Sequence, residues 1–139
     1  MRRALSLFVL LSLAFVLAAS PQQPSKRKIA CKMPDNAKSC YWTHGRLSIY
    51  NGNPTFRLWK IGTRRLLGMY SGPGFGPFDA GLNEEDDLEL PANLMRYDFT
   101  KVTVFGDFEV CPLAGEKEGR MRPACIESAK YLMSEKSDF

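Results

Sequence analysis

Apolar and polar residues alternate in two runs, Trp42–Tyr50 and Thr55–Ile61, which flank the tetrapeptide Asn-Gly-Asn-Pro. Alternation with a period of two predicts strands that bury one face, and the tetrapeptide is typical of a β-hairpin turn. One face of this first hairpin is apolar and the other is aromatic and basic. The apolar face carries Leu47, Ile49, Phe56 and Leu58.

The register of this hairpin follows from its charges and its proline. A two-residue turn would place Arg46 opposite Arg57, which is unfavourable because like charges repel across strands. A four-residue loop instead pairs Arg46 with Trp59 and leaves Pro54, which has no N–H, outside the strand pairing. We therefore predict the four-residue loop, with Ile49 opposite Phe56 and Leu47 opposite Leu58.

Three further strands are predicted along the chain. Arg65–Tyr70 forms the third, and Lys101–Cys111 is the most regular, since its apolar residues alternate over about ten positions. A loop containing two glycines leads to the fifth, Met121–Ser128, and Ala129–Lys136 is predicted as a short terminal helix. The inward face of the fourth strand would consist of Val102, Val104, Gly106, Phe108 and Val110.

Between the third and fourth strands the chain carries a long insert. Its first part, Ser71–Gly81, is too rich in glycine and proline for regular structure. In its second part, Asn83 precedes an acidic run and can cap a helix, because acids are favoured in a first helical turn. Since Pro91 would interrupt that helix, we predict only one or two short turns within Glu84–Tyr97.

The predicted order is three strands, an insert with a little helix, and two more strands. An OB-fold has this order. The sequence therefore predicts an all-β protein, a small five-stranded, partly open barrel with a short helical insert between strands three and four. The alternative is a small β-sandwich of two antiparallel sheets.

The first residues have the pattern of a secretory signal peptide. Arg2 and Arg3 precede an apolar stretch of about 15 residues, shorter than the roughly 20 needed to span a membrane, and small residues follow. Cleavage is predicted after Ala18 or Ala19, with a retained membrane anchor as the alternative, and the protein is expected to be secreted or periplasmic. The predicted divisions are a signal peptide (1–19), a polar basic leader (20–39), a single β domain (40–136) and a frayed tail (137–139).

An even number of cysteines in an exported chain indicates structural disulfides. There are four, and spacing alone leaves three pairings open. We favour Cys111–Cys125 and Cys31–Cys40, because each pair is local in the sequence. The spacing does not suit zinc, since the chain lacks C-x-x-C and has one histidine.

Charge is distributed unevenly along the chain. Residues 26–65 contain ten basic residues and one acidic residue, a net charge of +9, whereas residues 66–139 contain seven basic and fourteen acidic residues, a net charge of −7. One interpretation is a basic surface that attracts an anionic partner. The other is that the basic and acidic halves neutralise each other within one fold.

The candidate ligand-binding surface is the polar face of the first hairpin. Aromatic rings stack on sugars or bases, and guanidinium groups form paired hydrogen bonds with anions. We call this set the hairpin face; it comprises Trp42, His44, Arg46, Tyr50, Arg57 and Trp59. For an exported protein, the expected partner is a glycan, an anionic polymer or a protein rather than genomic nucleic acid. The opposing interpretation is structural, with Arg46 stacked over Trp59.

The sequence contains none of the common hydrolase or nucleotide-binding motifs. Because there is one histidine, acid–base catalysis would have to use His44 with a carboxylate, or a carboxylate pair such as Asp107 and Glu109. The acidic run near Asp79–Asp87 does not match a calcium loop. The predicted function is therefore a non-catalytic binding or envelope-structural module without cofactor or metal, and the alternative is a small secreted hydrolase.

Overall fold

The structure is a computed structural model, and it describes residues 29–74 and 88–137. The predicted signal peptide, the first nine residues of the predicted leader, part of the glycine-rich insert and the Asn83 cap lie outside these residues. A 3₁₀ turn (Ala37–Ser39), five strands and one short α-helix follow one another along the described chain. The strands and the helix are β1 (Tyr41–Ile49), β2 (Phe56–Lys60), β3 (Leu66–Met69), α1 (Ala92–Met95), β4 (Val102–Pro112) and β5 (Arg122–Lys136).

The five strands form one sheet whose hydrogen-bonded pairs run in a ring, in the order β1-β2-β3-β5-β4 and back to β1. All neighbouring pairs are antiparallel except β3 and β5, which are parallel. The order confirms the predicted OB-like, all-β fold, and the alternative of two packed sheets is wrong. The ring is uneven, because β3 joins each of its neighbours through only three residue pairs.

The first hairpin has the predicted register. Arg46 lies opposite Trp59, Leu47 opposite Leu58, and Ile49 opposite Phe56. The backbone N–H of Tyr50 donates to the carbonyl of Thr55 at 2.8 Å, which closes the loop. Pro54 lies outside the ladder, and its ring covers the backbone of Gly68 on β3.

The inward faces of the strands form the core predicted from the alternation. Leu47, Leu58, Val104, Phe108 and Val110 are all inaccessible to solvent. The insert closes the core with three further buried side chains, Leu90, Leu94 and Phe99. Phe99 packs edge-on against Phe56, with ring centroids 5.2 Å apart.

The helical insert lies where it was predicted, between β3 and β4, but its start differs. Pro91 directly precedes the four residues of α1 and begins the helix instead of interrupting it. This agrees with the restriction of proline to helix starts, where its missing N–H costs nothing. Leu94 is the buried residue of this helix.

The predicted terminal helix at Ala129–Lys136 is wrong, because β5 continues as a strand to Lys136. β4 is eleven residues long, and β5 forms a strand because it pairs with nearly all of them. Opposite Gly106 the register shifts, so that two residues of β5 face one residue of β4. Tyr131 lies at this bulge with a φ of 53°, in the left-handed region.

All four cysteines form disulfides, but the favoured pairing is wrong. The bridges are Cys31–Cys125 and Cys40–Cys111, with sequence separations of 94 and 71 residues. Cys111 and Cys125 do lie opposite each other on β4 and β5, as expected for neighbouring strands. Each of them is bonded to the N-terminal segment instead, because the start of β1 pairs with the end of β4.

Residues 29–39 are thereby fixed to the barrel by more than the disulfides. Lys32 Nζ lies 2.6 Å from Glu109 Oε1, and this contact lowers the pKa of Glu109 and raises that of Lys32. The backbone N–H of Ile29 also donates to Glu89 Oε2 at 2.7 Å. Cys31 thus tethers the end of the predicted leader to β5.

Two disulfides indicate that this small domain folds in an oxidising compartment outside the cytoplasm. Within the described ranges, 29–74 and 88–137, there is no helix of the length and apolarity required to cross a membrane.

Candidate functional site

The hairpin face is assembled on the outer side of β1 and β2, as predicted from the alternation. Its six residues divide into two groups. Trp42 and His44 stand near the start of β1 and are exposed, whereas the other four form a contact network around the hairpin loop.

The network holds the hairpin together. The Arg46 guanidinium lies 4.9 Å from the centre of the Trp59 ring, as the structural interpretation predicted, and its Nη2 donates to the Tyr50 hydroxyl at 3.1 Å. Arg57 lies over the other aromatic ring, Tyr50, at 5.1 Å, and its guanidinium donates to the loop carbonyls of Asn51 and Pro54. These arginines therefore support the loop as well as contributing charge to the surface.

Packing limits what Arg46 can offer a ligand. Its Nε is buried and has no hydrogen-bond partner within the described part of the chain. Trp59 is also anchored, because its indole N–H donates to the carbonyl of Thr63 at 2.7 Å. Both rings of the network are thus held in fixed orientations, with their outer edges at the surface.

The exposed end of the hairpin face continues onto β4 and β5. Trp42 retains 46% of its accessible surface and Tyr131 retains 77%. Lys130 lies beside both rings, with its ammonium 4.2 Å from the centre of the Trp42 ring and 5.4 Å from that of Tyr131. We call Trp42, Lys130 and Tyr131 the aromatic patch.

Sequence reasoning missed two of the three residues of this patch. Lys130 and Tyr131 were assigned to a terminal helix, so no face could be given to them. The alternation of β5 is interrupted at the bulge, which hides the strand signal there. The remaining sequence signal is an aromatic residue, Tyr131, directly after a lysine, Lys130.

His44 has a carboxylate partner on the neighbouring strand. His44 Nδ1 lies 2.9 Å from Asp107 Oδ1, and the two residues are opposite each other in the β1–β4 ladder. The other carboxylate considered, Glu109, is engaged by Lys32 and by the Ser128 hydroxyl. The structure therefore brings together His44 and Asp107, but not a free carboxylate pair.

A second feature was not found from the sequence. A cavity of about 590 Å³ opens between the β2–β3 turn and the β4–β5 loop, and it is lined by several basic side chains. A neighbouring cavity of about 410 Å³ runs across β3 towards Pro54 and Tyr70. None of the six residues of the hairpin face lines either cavity.

Among the described residues there is no group of three or more histidine, cysteine, aspartate or glutamate side chains that could hold a metal ion. Comparison of the chain with known protein families, with characterised proteins and with solved structures gave no match.

Proposed function

We propose that this protein is an exported, disulfide-stabilised binding module that holds a glycan on its outer surface without catalysis. The exposed aromatic patch carries this proposal. Sugar rings stack on aromatic faces, and a neighbouring ammonium can donate hydrogen bonds to their hydroxyl groups. The rigid network of Arg46, Tyr50, Arg57 and Trp59 extends the same surface along the hairpin.

Export is part of the proposal. It is supported by the apolar start of the chain with its two arginines, and by the two disulfides of the folded domain. A periplasmic or secreted module would meet cell-wall and extracellular polysaccharides, which are the polymers that an aromatic surface suits.

The test is retention of the purified protein on insoluble chitin and peptidoglycan, with heparin–agarose as an anionic matrix. Trp42→Ala should reduce the bound fraction at least about threefold, because it removes one of the two exposed rings. Met95→Ala is the matched control, since it removes an exposed apolar side chain of α1 that belongs to neither the hairpin face nor the aromatic patch. Equal retention of the wild type and Trp42→Ala would contradict the proposal.

The hairpin network makes a separate contribution that the same assay can measure. Trp59→Ala and Arg46→Ala should each weaken retention, and Arg46→Ala should also make the heparin interaction less sensitive to salt, because it removes one cation. Urea denaturation of both variants is needed alongside, since each substitution also removes the stacked pair. Unchanged retention in both would show that the network is purely structural.

One observation favours a second candidate function, a small secreted hydrolase. Asp107 accepts a hydrogen bond from His44 Nδ1 in one tautomer, which leaves Nε2 free to take a proton from water. Turnover of 4-nitrophenyl esters and glycosides would test it. Under this alternative His44→Ala abolishes turnover and leaves the urea midpoint unchanged, whereas under the binding proposal the wild type shows none.

A further inference from the structure

The cavity between the β2–β3 turn and the β4–β5 loop is strongly basic. It lies at the end of the barrel where β3 and β5 begin, and two acidic residues, Glu116 and Glu118, line it. Six basic residues of the described part of the chain line it as well, so the described lining carries a net charge of +4. They are Lys60, Arg64, Arg65, Lys117, Arg120 and Arg122.

A carboxylate of the protein already occupies this basic cavity. Glu116 Oε1 lies 2.6 Å from Arg65 Nη1 and 3.7 Å from Arg122 Nη1, so it sits between two guanidinium groups. The contact with Arg65 lowers the pKa of Glu116, which keeps this side chain charged. Arg122 is fixed in place by donating from Nε to the carbonyl of Ala114 at 2.8 Å.

Glu116 is readily displaced from this position. Its side chain retains 55% of its accessible surface, and it belongs to the exposed β4–β5 loop. Ion pairs at exposed sites contribute little to stability, because water solvates the separated charges well. A ligand carboxylate could therefore replace Glu116 between the same two guanidinium groups at small cost.

The extent of the cavity and its neighbour fits a chain rather than a single small anion. Apolar side chains line it together with the basic residues, among them Leu66 and Met121. It adjoins the second cavity, since Lys117 and Arg120 line both, and together they form a groove that runs across β3 to Pro54. We call these two cavities the β3 groove.

We propose that the β3 groove binds an acidic glycan, with a uronate carboxylate of the ligand replacing Glu116 between Arg65 and Arg122. Single-stranded nucleic acid fits less well, because its binding requires exposed aromatic rings on which bases can stack. Among the residues that the structure describes, two aromatic side chains line the groove: Tyr41 is covered by the Lys60 ammonium at 4.7 Å, and Tyr70 is buried. The site is separate from the aromatic patch, and neither proposal depends on the other.

The test is isothermal titration of the disulfide-intact protein at low salt with octagalacturonate. A neutral galactose octasaccharide, a heparin octasaccharide and an eight-residue oligothymidylate are titrated in parallel. Octagalacturonate is expected to bind most tightly, with an affinity that falls as salt is added, because the contacts are ionic. The neutral octasaccharide is expected not to bind.

Glu116→Gln gives the sharpest result. It removes the internal competitor, and the affinity for octagalacturonate should rise by about threefold to fivefold, the equivalent of one exposed ion pair. Glu118→Gln is the matched control, because it removes the same charge from the same loop without freeing the two guanidinium groups; its effect should stay below about twofold. Arg65→Ala should weaken binding by about threefold or more and provides a second variant if Glu116→Gln unfolds.

Several results would overturn the proposal. One is failure of octagalacturonate to bind at millimolar concentration. Another is an affinity of Glu116→Gln equal to or below that of the wild type, which would show that Glu116 only holds the β4–β5 loop in place. Tighter binding of heparin or of oligothymidylate would replace the uronate with a sulfate or a nucleic acid. Trp42→Ala should leave octagalacturonate binding unchanged, so that loss of chitin retention and loss of groove binding are distinguishable.

Discussion

Gly106 allows the long strand β5 to bend over the core. A Cβ atom built on Gly106 would lie 2.7 Å from Leu132 Cδ2 and 2.9 Å from the carbonyl oxygen of Lys130. The neighbouring residue in the β1–β4 ladder is also a glycine, Gly45, whose Cβ would lie 2.7 Å from Leu58 Cδ1. Glycine inside a strand commonly marks such a close approach of another chain segment.

Gly106→Ala should therefore lower the free energy of unfolding by about 1–3 kcal/mol, because the backbone at Lys130 must move to make room. The measurement is urea denaturation followed by tryptophan fluorescence. Gly115→Ala is the control: its Cβ would meet no atom within 4 Å, and the change should stay within about 0.5 kcal/mol. Similar losses for both variants would contradict the close packing at Gly106.

Tyr131 combines an exposed ring with a backbone conformation that disfavours a side chain. A non-glycine residue in the left-handed region carries a strain of about 1–3 kcal/mol, and such strain often accompanies function. Tyr131→Gly should remove the strain without lowering stability, since the relief offsets the greater freedom of glycine in the unfolded chain.

The same substitution should reduce retention on chitin, because it removes a ring of the aromatic patch. Tyr131→Ala separates the two effects: it removes the ring but keeps the strain, so it should be less stable than Tyr131→Gly and bind equally weakly. Full chitin retention in both variants would remove Tyr131 from the proposed site.

At the scale of single elements, local chemistry decided which features the sequence could predict. The register of the first hairpin followed from Arg46, Arg57 and Pro54, which lie within twelve residues of one another. Alternation likewise placed Val104 and Phe108 in the core. These interactions are encoded by neighbours in the chain, so no knowledge of the tertiary pairing was needed.

Features that depend on distant pairing were not predictable in this way. Ala129–Lys136 contains several good helix formers, and only its pairing with β4 makes it a strand. The disulfides depend on the same kind of information: Tyr41 lies opposite Val110, which brings Cys40 beside Cys111. The β3 groove was not predictable from the sequence, because its ion pair between Arg65 and Glu116 joins residues 51 positions apart.

The two disulfides should have separable effects on the elements that they join. Peptide mapping under non-reducing conditions should recover Cys31–Cys125 and Cys40–Cys111. The double variant Cys31→Ser/Cys125→Ser should lose about 2–4 kcal/mol of unfolding free energy. It should also expose Lys32 and Lys38 to trypsin under native conditions, because residues 29–39 lose their covalent attachment.

The matched control is Cys40→Ser/Cys111→Ser. This variant removes a bridge at the start of β1 but keeps residue 31 attached to β5. Cleavage at Lys32 should therefore remain slow. Equal trypsin sensitivity of the two double variants would contradict the arrangement of the bridges.

At the scale of the whole molecule, the two charged halves of the sequence meet in the fold. Lys32 contacts Glu109, and Arg65 contacts Glu116, so basic residues of the first half lie against acidic residues of the second. These contacts support partial internal neutralisation. They leave the described lining of the β3 groove with an excess of positive charge.

Acid should destabilise the folded protein through its paired carboxylates. Hydrogen bonds from Lys101 and Thr100 lower the pKa of Asp98 from 3.8 to about 2. A carboxyl group whose pKa is lowered by folding stabilises the protein above its unfolded pKa, and this contribution is lost as the pH falls through its folded pKa. The contribution of Asp98 should therefore be complete at pH 5 and disappear between about pH 4 and pH 2.

Asp98→Asn tests this pH dependence. The variant should be less stable than the wild type at pH 5, and the difference should shrink as the pH falls to about 2, as measured by urea midpoints. Asp35→Asn removes the same charge from an exposed residue before β1 and controls for net charge. A difference between Asp98→Asn and the wild type that stays constant from pH 5 to pH 2 would contradict the linkage.

The short strand β3 has a consequence for how the barrel moves. It has four residues, it joins each neighbour through three pairs, and one of its partners on β5, Pro123, has no N–H to donate. The seam between β3 and β5 is thus where the ring should open first, and amide exchange should be fastest there. The β3 groove spans this seam, so a bound ligand would hold β3 and β5 together. Amide exchange at Leu67 and Met69 should then slow, while the exchange rates in the rest of the barrel stay unchanged.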